Sequence, residues 1–435
     1  METQETNASE YLYQGNLSRA AGSIMSGNSI IWDADQAEYA LAAMCLAGRA
    51  QQAEVILKQY SQKFNRQQLV ACRYYLAVGY TMSGRYKRAR RYIVGNFSKR
   101  HACNDTQSLF YIWQGLAFYR FYTGRLAQGN SASTKAFAYA VSCNFTYGRM
   151  VASEVRGHIQ VLMGSVSEGV TALEHASQLA QALGNQQVLK SVTIALANYE
   201  ARYNLTPSQG EEKLLGVLKA LPLGDPFAES SLRFEIARQL ILDGKLKPAK
   251  NQLDVVQKSI YKHNHYRYSA TLSIRYADWH FANGGSWEAL HHIMAALKEL
   301  DQSIDGLLIV EALMRKARIL KVIGEKEAWQ ETIKSLTSLN KITNDHASSL
   351  FLNEPTSAKE MPQKLDIPKN VNHRQVKILR FLEENEFIDV STAKTMFDVA
   401  EITVCRDLSN LVKTGHLQRV GKARATRYTR HSHEA

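Results

Sequence analysis

Proline is all but missing from the first half of this chain. Seven prolines occur in 435 residues, and none precedes Pro207. The others are Pro222, Pro226, Pro248, Pro355, Pro362 and Pro368. Proline removes a helical hydrogen bond and clashes with the preceding turn, so this distribution fits a chain that is mostly helix. Cysteine is scarce as well. Cys45, Cys72, Cys103, Cys143 and Cys405 form an odd, widely spaced set with no Cys-x-x-Cys. That argues against a disulfide framework or a zinc ribbon and fits a reducing compartment. Long apolar runs are missing too. The most aromatic stretch, YIWQGLAFYRFY, is interrupted by Gln114 and Arg120 and falls short of the ~18–20 residues that cross a bilayer. The opening METQETNASE lacks the basic start and apolar core of a secretory signal. The expectation is a soluble, cytoplasmic protein with no membrane partner.

Catalytic constellations are missing in the same way. GRLAQGNS (124–131) and GSVSEGVT (164–171) have the glycine spacing of a phosphate loop. Neither has the Lys-Ser/Thr that must follow to reach the phosphates. The histidines come as His263 with His265, His291 with His292, and His431 with His433. None of these groups has the spacing of three or four convergent ligands that a metal needs. No enzyme activity, metal or cofactor is expected.

What is present is positive charge. The chain has 53 Lys and Arg against 40 Asp and Glu, a net +13, with a pI near 9.3. Such an excess favours polyanionic partners, nucleic acid foremost, and says nothing about fold. The 45% hydrophobic content is ample for a buried core. The length fits two or three domains or one long repeat array.

A repeat array is what the glycines mark. Gly84, Gly124, Gly164, Gly244, Gly284 and Gly324 each follow an apolar helical stretch. They are 40 residues apart except for one double gap, whose midpoint is Asn204, and Gly48 adds one unit in front. Asparagine is the other residue that accepts the left-handed conformation glycine supplies. Five residues after each marker the residue is mostly small: Ala53, Ala89, Gly129, Gly169, Ala249 and Ala289, with Gln209 and Trp329 as exceptions. The reading is one helical hairpin per unit, closed by the marker and packed closely at the small residue. Apolar positions at i, i+3, i+4 and i+7 flank the markers, as amphipathic helices require. Examples are Phe234, Ala237, Leu240 and Ile241 before Gly244, and Ala249, Leu253 and Val256 after it. This pattern resembles tetratricopeptide repeats, with a longer period than their usual ~34 residues. The resemblance implies an all-α superhelical solenoid of about eight hairpins over 35–343, behind a helical cap at 1–34. Stacked hairpins bury a core between neighbours and leave a concave face for a partner.

Two sets of residues stand out as partner candidates on the array. GRYKRARRYIVGNFSKR (84–100) holds Arg85, Lys87, Arg88, Arg90, Arg91, Lys99 and Arg100 and no acid. Arg85, Arg88 and Arg91 could hold phosphate or an acidic partner, against the plainer reading of a solvated helix face. Eight tyrosines, Tyr74, Tyr75, Tyr80, Tyr86, Tyr92, Tyr111, Tyr119 and Tyr122, read mostly as repeat core. Asn198, Arg202 and Arg275 are candidates for gripping a peptide on the concave face.

The periodicity ends near residue 343. Residues 344–371 hold three prolines and several polar residues and read as a linker. A compact unit follows at 372–430, with a short tail at 431–435. Its first helix carries Val376, Ile378, Leu379 and Leu382. The second turns Ala393, Met396 and Phe397 inward, with Ser391 as N-cap. The third, about 401–413, has Val404, Leu408 and Leu411 on one stripe and Thr403, Arg406, Asn410 and Lys413 on the opposite one. Gly415 ends it. LQRV and ATRYT then read as two strands around Gly421-Lys422-Ala423-Arg424. From Lys413 to Arg430 the segment has no acid.

Three helices and a basic hairpin, with Thr403-Val404, Arg406-Asp407-Leu408, Leu411, Gly415, Leu417 and the Gly-x-x-Arg-x-Thr-x-Tyr ending at Tyr428, resemble the DeoR-type winged helix-turn-helix of bacterial transcriptional regulators. The resemblance implies a third helix in the major groove of double-stranded DNA, with Glu401, Ile402, Thr403 and Arg406 near base edges and Asn410 and Lys413 on the same stripe. The wing cations Arg419, Lys422, Arg424, Arg427 and Arg430 would hold phosphates or enter the minor groove. Ala400 stands where the family usually caps this helix with Ser or Thr. Glu401, Ile402 and Cys405 take positions that are often basic. The expected function is a transcriptional regulator that acts as a homodimer. Its solenoid would sense a peptide or protein signal or mediate self-association. The alternative is a non-enzymatic scaffold that uses the winged helix to dock proteins.

Overall fold

The computed structural model describes residues 12–15, 33–221, 226–263, 266–301, 305–353, 372–397, 399–421 and 426–430. Among the described residues, eight helical hairpins follow one another. They are α1 (Ala34–Leu46) with α2 (Ala50–Tyr60), α3 (Arg66–Met82) with α4 (Tyr86–Phe97), and α5 (Thr106–Tyr122) with α6 (Leu126–Ser142). Next come α7 (Thr146–Leu162) with α8 (Val166–Leu183), and α9 (Gln186–Tyr203) with α10 (Pro207–Ala220). The last three are α11 (Pro226–Leu242) with α12 (Leu246–His263), α13 (Tyr266–Ala282) with α14 (Ser286–Asp301), and α15 (Gly306–Ile323) with α16 (Lys326–Thr343). The short helix α17 (His346–Asn353) closes the array. Much of the expected cap at 1–34 lies outside the described residues. Of what is described there, Leu12 is buried and the Tyr13 carbonyl accepts from Asn185 Nδ2 at 2.6 Å.

The marker glycines form the turns. Gly48, Gly84, Gly124, Gly164, Gly244, Gly284 and Gly324 have φ between 73° and 93°. A side chain is strained there, and glycine is not. At Gly84 its N–H donates to Thr81 O at 3.0 Å and the Arg85 N–H donates to Tyr80 O at 2.8 Å, the two bonds of a Schellman cap. Asn204 breaks the expected pattern, with φ at −121°. Its hairpin is closed from the other side, by Thr206 capping α10 in a capping box with Gln209 and by Pro207 at the first turn. Among the described residues the left-handed asparagines are Asn144, between the third and fourth hairpins, and Asn344, between the last hairpin and α17.

The small residues permit close packing, as the spacing predicts. Ala53, Ala89, Ala249 and Ala289 are fully buried. A Cβ on Gly169 would lie 2.8 Å from both the Gly157 carbonyl oxygen and the Val161 nitrogen. In the fifth hairpin the register slips by one. Gln209 is exposed, and the buried neighbour Gly210 faces the Ala201 methyl, 3.1 Å from where its Cβ would be. Trp329 fills its position as a buried side chain. Of the eight tyrosines, Tyr74, Tyr75, Tyr80, Tyr86 and Tyr111 are buried.

The array also touches itself across its length. Gly124 and Gly306 meet back to back: a Cβ on Gly306 would lie 2.5 Å from the Thr123 carbonyl oxygen. Asp305 accepts from Tyr86 Oη at 3.0 Å and from Arg267 Nε at 2.9 Å. The Arg267 guanidinium also lies over the Tyr122 ring at 4.7 Å. Hairpins two and three therefore close onto hairpins seven and eight, so the solenoid completes a turn.

The segment after residue 343, read as a linker from the sequence, begins with a helix. Helix α17 caps itself through Asp345, which accepts from the Ser348 N–H at 2.8 Å. It buries Phe351 against the last hairpin's core. The rest of that segment lies outside the described residues.

Candidate functional site

The C-terminal unit comprises α18 (His373–Glu384), α19 (Val390–Phe397), α20 (Glu401–Lys413), β1 (Leu417–Val420) and β2 (Arg427–Arg430). β1 and β2 pair antiparallel, with Leu417 opposite Arg430 and Val420 opposite Arg427. Ile388 adds an isolated antiparallel bridge on the other side of β2 from β1, exchanging both backbone hydrogen bonds with Tyr428 at 2.9 and 2.8 Å. The core is Ile378, Leu379, Leu382, Ile388, Ala393, Val404, Leu408, Leu411, Leu417 and Tyr428. Two local expectations are corrected. Asp389, not Ser391, caps α19, its Oδ1 accepting from the Thr392 N–H at 2.7 Å. Met396 is exposed rather than inward, because the inward stripe of α19 runs through Val390, Ala393 and Phe397 and Met396 lies to its side.

Helix α20 divides into two faces. Val404, Leu408 and Leu411 are fully buried. Glu401, Ile402, Arg406, Asn410 and Lys413 are exposed, with Thr403 half-buried. Ile402 keeps 70% of its surface open, a large value for a branched apolar side chain on a folded unit. Ala400 offers no capping hydrogen bond.

The helix is held from behind by groups distant from it in sequence. Asp407 sits on the inner side of α20 and is 5% exposed. Its Oδ2 accepts from Arg374 Nε at 2.6 Å, and its Oδ1 from Asn372 Nδ2 at 2.6 Å. Asn372 also caps α18 in a capping box with Gln375. Gln375 Nε2 in turn donates to the Asp407 carbonyl at 3.2 Å. One cluster therefore fixes both the start of α18 and the roll of α20. The Asn-x-x-Gln spacing signals the cap; nothing local in sequence signals its link to Asp407.

The wing cations differ from one another. Arg419 is exposed and leans toward Thr426 Oγ1 at 3.5 Å. Arg427 lies over the Phe387 ring at 3.9 Å, leaving its strand's outer face positive. Arg430 donates to the Leu379 carbonyl at 3.0 Å and so ties β2 to α18. Lys422 and Arg424 lie outside the described residues, as do His431 and His433.

The solenoid candidates occupy two places. Arg85, Arg88 and Arg91 are exposed on and beside α4. Arg88 reaches Glu54 at 3.8 Å, and Glu54 also receives the hydroxyls of Tyr80 and, at 2.8 Å, Tyr92. Burial would raise the Glu54 pKa; the two tyrosine hydroxyls outweigh it and hold the carboxyl below its usual range.

Arg202 and Arg275 belong to an ionic ladder across α9, α11, α13 and α15. Glu235 takes Arg202 at 2.6 Å and Arg238 at 3.0 Å. Arg275 reaches Asp278 at 3.1 Å and Glu311 at 2.9 Å. Arg315 reaches Asp278 at 2.6 Å. The ladder follows the 40-residue period: Glu235, Arg275 and Arg315 are equivalent positions, as are Arg238 and Asp278. Burial would raise the Glu235 carboxyl, but the Arg202 guanidinium outweighs it and holds the group at about 2. Asn198 lies on the same helix as Arg202, with a buried Oδ1 that has no partner. In the front half, the equivalent position to Asn198 is His158, whose Nδ1 meets Tyr199 Oη at 2.8 Å and whose pKa burial pushes down to about 4.

Among the described residues, no three His, Cys, Asp or Glu side chains converge to hold a metal. No helix among them is long and apolar enough to cross a membrane.

Comparison with known proteins agrees with this architecture. No curated protein matches the chain. Rap protein complexed with Competence and Sporulation Factor is similar in structure, with a TM-score of 0.58 and 10% identity, over 79% of this chain and 97% of that one. At that identity the likeness shows the fold alone. The APC/C hetero-tetramer Cut9-Hcn1 aligns over 93% of this chain and 88% of its own, at 11% identity and a TM-score of 0.34, and no argument rests on it. Residues 374–425 match the DeoR-like helix-turn-helix domain, so a helical repeat array is followed here by a domain of that family.

Proposed function

We propose that the protein is a DNA-binding transcriptional regulator. The observation that carries this reading is the division of α20. Its buried stripe is fully committed to the core, while Ile402, Arg406, Asn410 and Lys413 face outward beside a strand pair bearing Arg419 and Arg427. A helix in the major groove needs donors, acceptors and a methyl-reading group on one exposed face. Arg406, Asn410, Glu401 and Ile402 are such a set. The wing supplies phosphate contacts, which set register and affinity.

The solenoid is the sensor in this reading. It is similar in fold to Rap protein, solved in complex with Competence and Sporulation Factor, and it carries the ionic ladder on the same helices as an unpartnered Asn198 Oδ1. A peptide supplies N–H groups that such an acceptor can take. The protein acts as a homodimer, because one small winged helix covers few base pairs and paired half-sites raise affinity.

Genomic fragments retained by the purified protein, then sequenced, test the DNA-binding reading. Discrete sites that Arg406→Glu loses support it. Fragments retained without preference, or sites that Arg406→Glu leaves intact, would remove α20 from the interface and favour the scaffold reading.

A further inference from the structure

The positive charge of this protein is not mainly on its wing. Between Val55 and Ser153 the sequence has fifteen Lys and Arg and one acid, Asp105. The excess in that segment is larger than the +13 of the whole chain. Everything else, winged helix included, is close to neutral in sum.

The fold gathers much of this charge on one surface. On α4, Lys87, Arg90 and Arg91 are exposed at i, i+3 and i+4, the spacing that places side chains on one helix face. Tyr86 at the start of α4 meets Tyr119 of α5 edge-on at 6.4 Å, and the exposed Arg125 follows α5 at the turn into α6. Toward the other end, Arg100 covers the Phe97 ring at 4.2 Å. Phe97 meets Trp113 edge-on at 5.4 Å, and Lys135 of α6 covers Trp113 at 4.3 Å. Arg88 is the cation here that reaches a carboxylate among the described residues, and that carboxylate is Glu54. Unpaired like charges repel one another and lower stability, so a surface kept this way points to a ligand that neutralises it.

We propose that this face of hairpins two and three is a second contact for the phosphodiester backbone of duplex DNA. Three kinds of polyanion partner can be separated by what the surface offers. Single-stranded nucleic acid is held by bare aromatic faces on which bases stack, and here both rings are covered by cations. An acidic protein would need an apolar centre to anchor it. The apolar side chains most open on these helices are the isolated Val94 and Val141. A duplex presents a regular row of phosphates and asks only for exposed Lys and Arg, which is what this face supplies.

The test uses the full chain with its winged helix disabled (Arg406→Glu/Arg427→Glu), so that failure of the winged-helix reading and failure of this one are distinguishable. The probe is a 40-bp mixed-sequence duplex, titrated by fluorescence anisotropy from about 50 to 200 mM salt. In that background, Arg90→Glu/Arg91→Glu/Arg125→Glu is expected to weaken binding at least tenfold at the lowest salt. It should flatten the salt slope by about 3, one unit for each phosphate no longer neutralised. The milder Lys87→Gln/Arg91→Gln should weaken it in the same direction, with a melting temperature equal to the parent. Unchanged affinity and slope in both variants would overturn the proposal. So would tighter binding of a 40-nucleotide single strand than of the duplex. Competition by polyglutamate equal, per charge, to that of the duplex would also overturn it and assign the face to an acidic protein.

Discussion

Tyr86 Oη donates to Asp305 Oδ2 at 3.0 Å, across 219 residues of sequence. Tyr86 is 2% exposed and Asp305 is fully buried. One carboxylate therefore joins three groups: Tyr86, Arg267 and the start of α15, whose Leu308 N–H reaches Asp305 Oδ1 at 3.3 Å. These bonds hold hairpin two against hairpin eight. Tyr86→Phe is predicted to destabilise the solenoid by about 2 kcal/mol, the value of a hydrogen bond to a buried charge. Tyr203→Phe, at an exposed tyrosine, should change it by less than about 0.5 kcal/mol. Urea titrations of the two variants decide; equal midpoints would mean that the closure carries no energy.

The ionic ladder makes acid stability predictable in sign. Glu235 is held at about 2 in the folded chain, below the ~4.3 of a free glutamate. A depressed carboxyl contributes stability that is present above its unfolded pKa and is lost as pH falls through the folded one. The window is therefore roughly pH 4.5 down to 2, and the contribution is on the order of 3 kcal/mol. Glu235→Gln should be less stable than the parent at pH 7 and should show a shallower loss between pH 4.5 and 3. Parallel stability curves for the two proteins across that range would contradict the assignment.

Much of this architecture can be read before folding, and the reason is physical. A left-handed turn favours glycine, so Gly84, Gly124, Gly164 and their equivalents mark the hairpins directly. A close helix contact needs a small residue, so Ala89 and Gly169 mark the packing. Where a different mechanism closes the hairpin, the same reasoning fails: Asn204 is not left-handed, and Thr206 with Pro207 sets the turn from the next helix. Helix α17 escapes notice because eight residues are too few to display a period. In the winged helix, the inner stripe of α20 is legible because burial follows the helical period. The links from Arg374 and Asn372 to Asp407 are not, because they join residues more than thirty apart that no local rule connects.

Glycine substitutions separate close packing from mere helix interior. Gly169→Ala would push a methyl against the Val161 nitrogen and the Gly157 oxygen, which are backbone and cannot swing away. We predict a loss of about 2–3 kcal/mol, in the range of core overpacking. Gly216 is helical too, with nothing within 4 Å of an added Cβ. Gly216→Ala should stabilise by about 0.5–1 kcal/mol through helix propensity. Denaturant midpoints moving in opposite directions are the expected outcome; a stable Gly169→Ala would mean that α7 and α8 are less tightly apposed.

Arg374 should matter for DNA without touching it. Its Nε bond to Asp407 sets the roll of α20. Arg374→Ala leaves a carboxylate that is 5% exposed with one fewer donor, at a cost of about 1–3 kcal/mol. Amide hydrogen exchange in α20 should accelerate accordingly, and affinity for a retained DNA site should fall with little change in salt slope. A reduced salt slope would instead mark Arg374 as a phosphate contact.

The central claim is that α20 lies in a major groove, and methylation interference on a retained site tests it most directly. Guanine N7 lies in the major groove and adenine N3 in the minor. The account predicts that N7 methylation blocks binding in two clusters about one helical turn apart, one for each protomer of a dimer, and that the Arg406→Glu variant fails to bind the unmodified site. Binding that ignores N7 methylation throughout would contradict it.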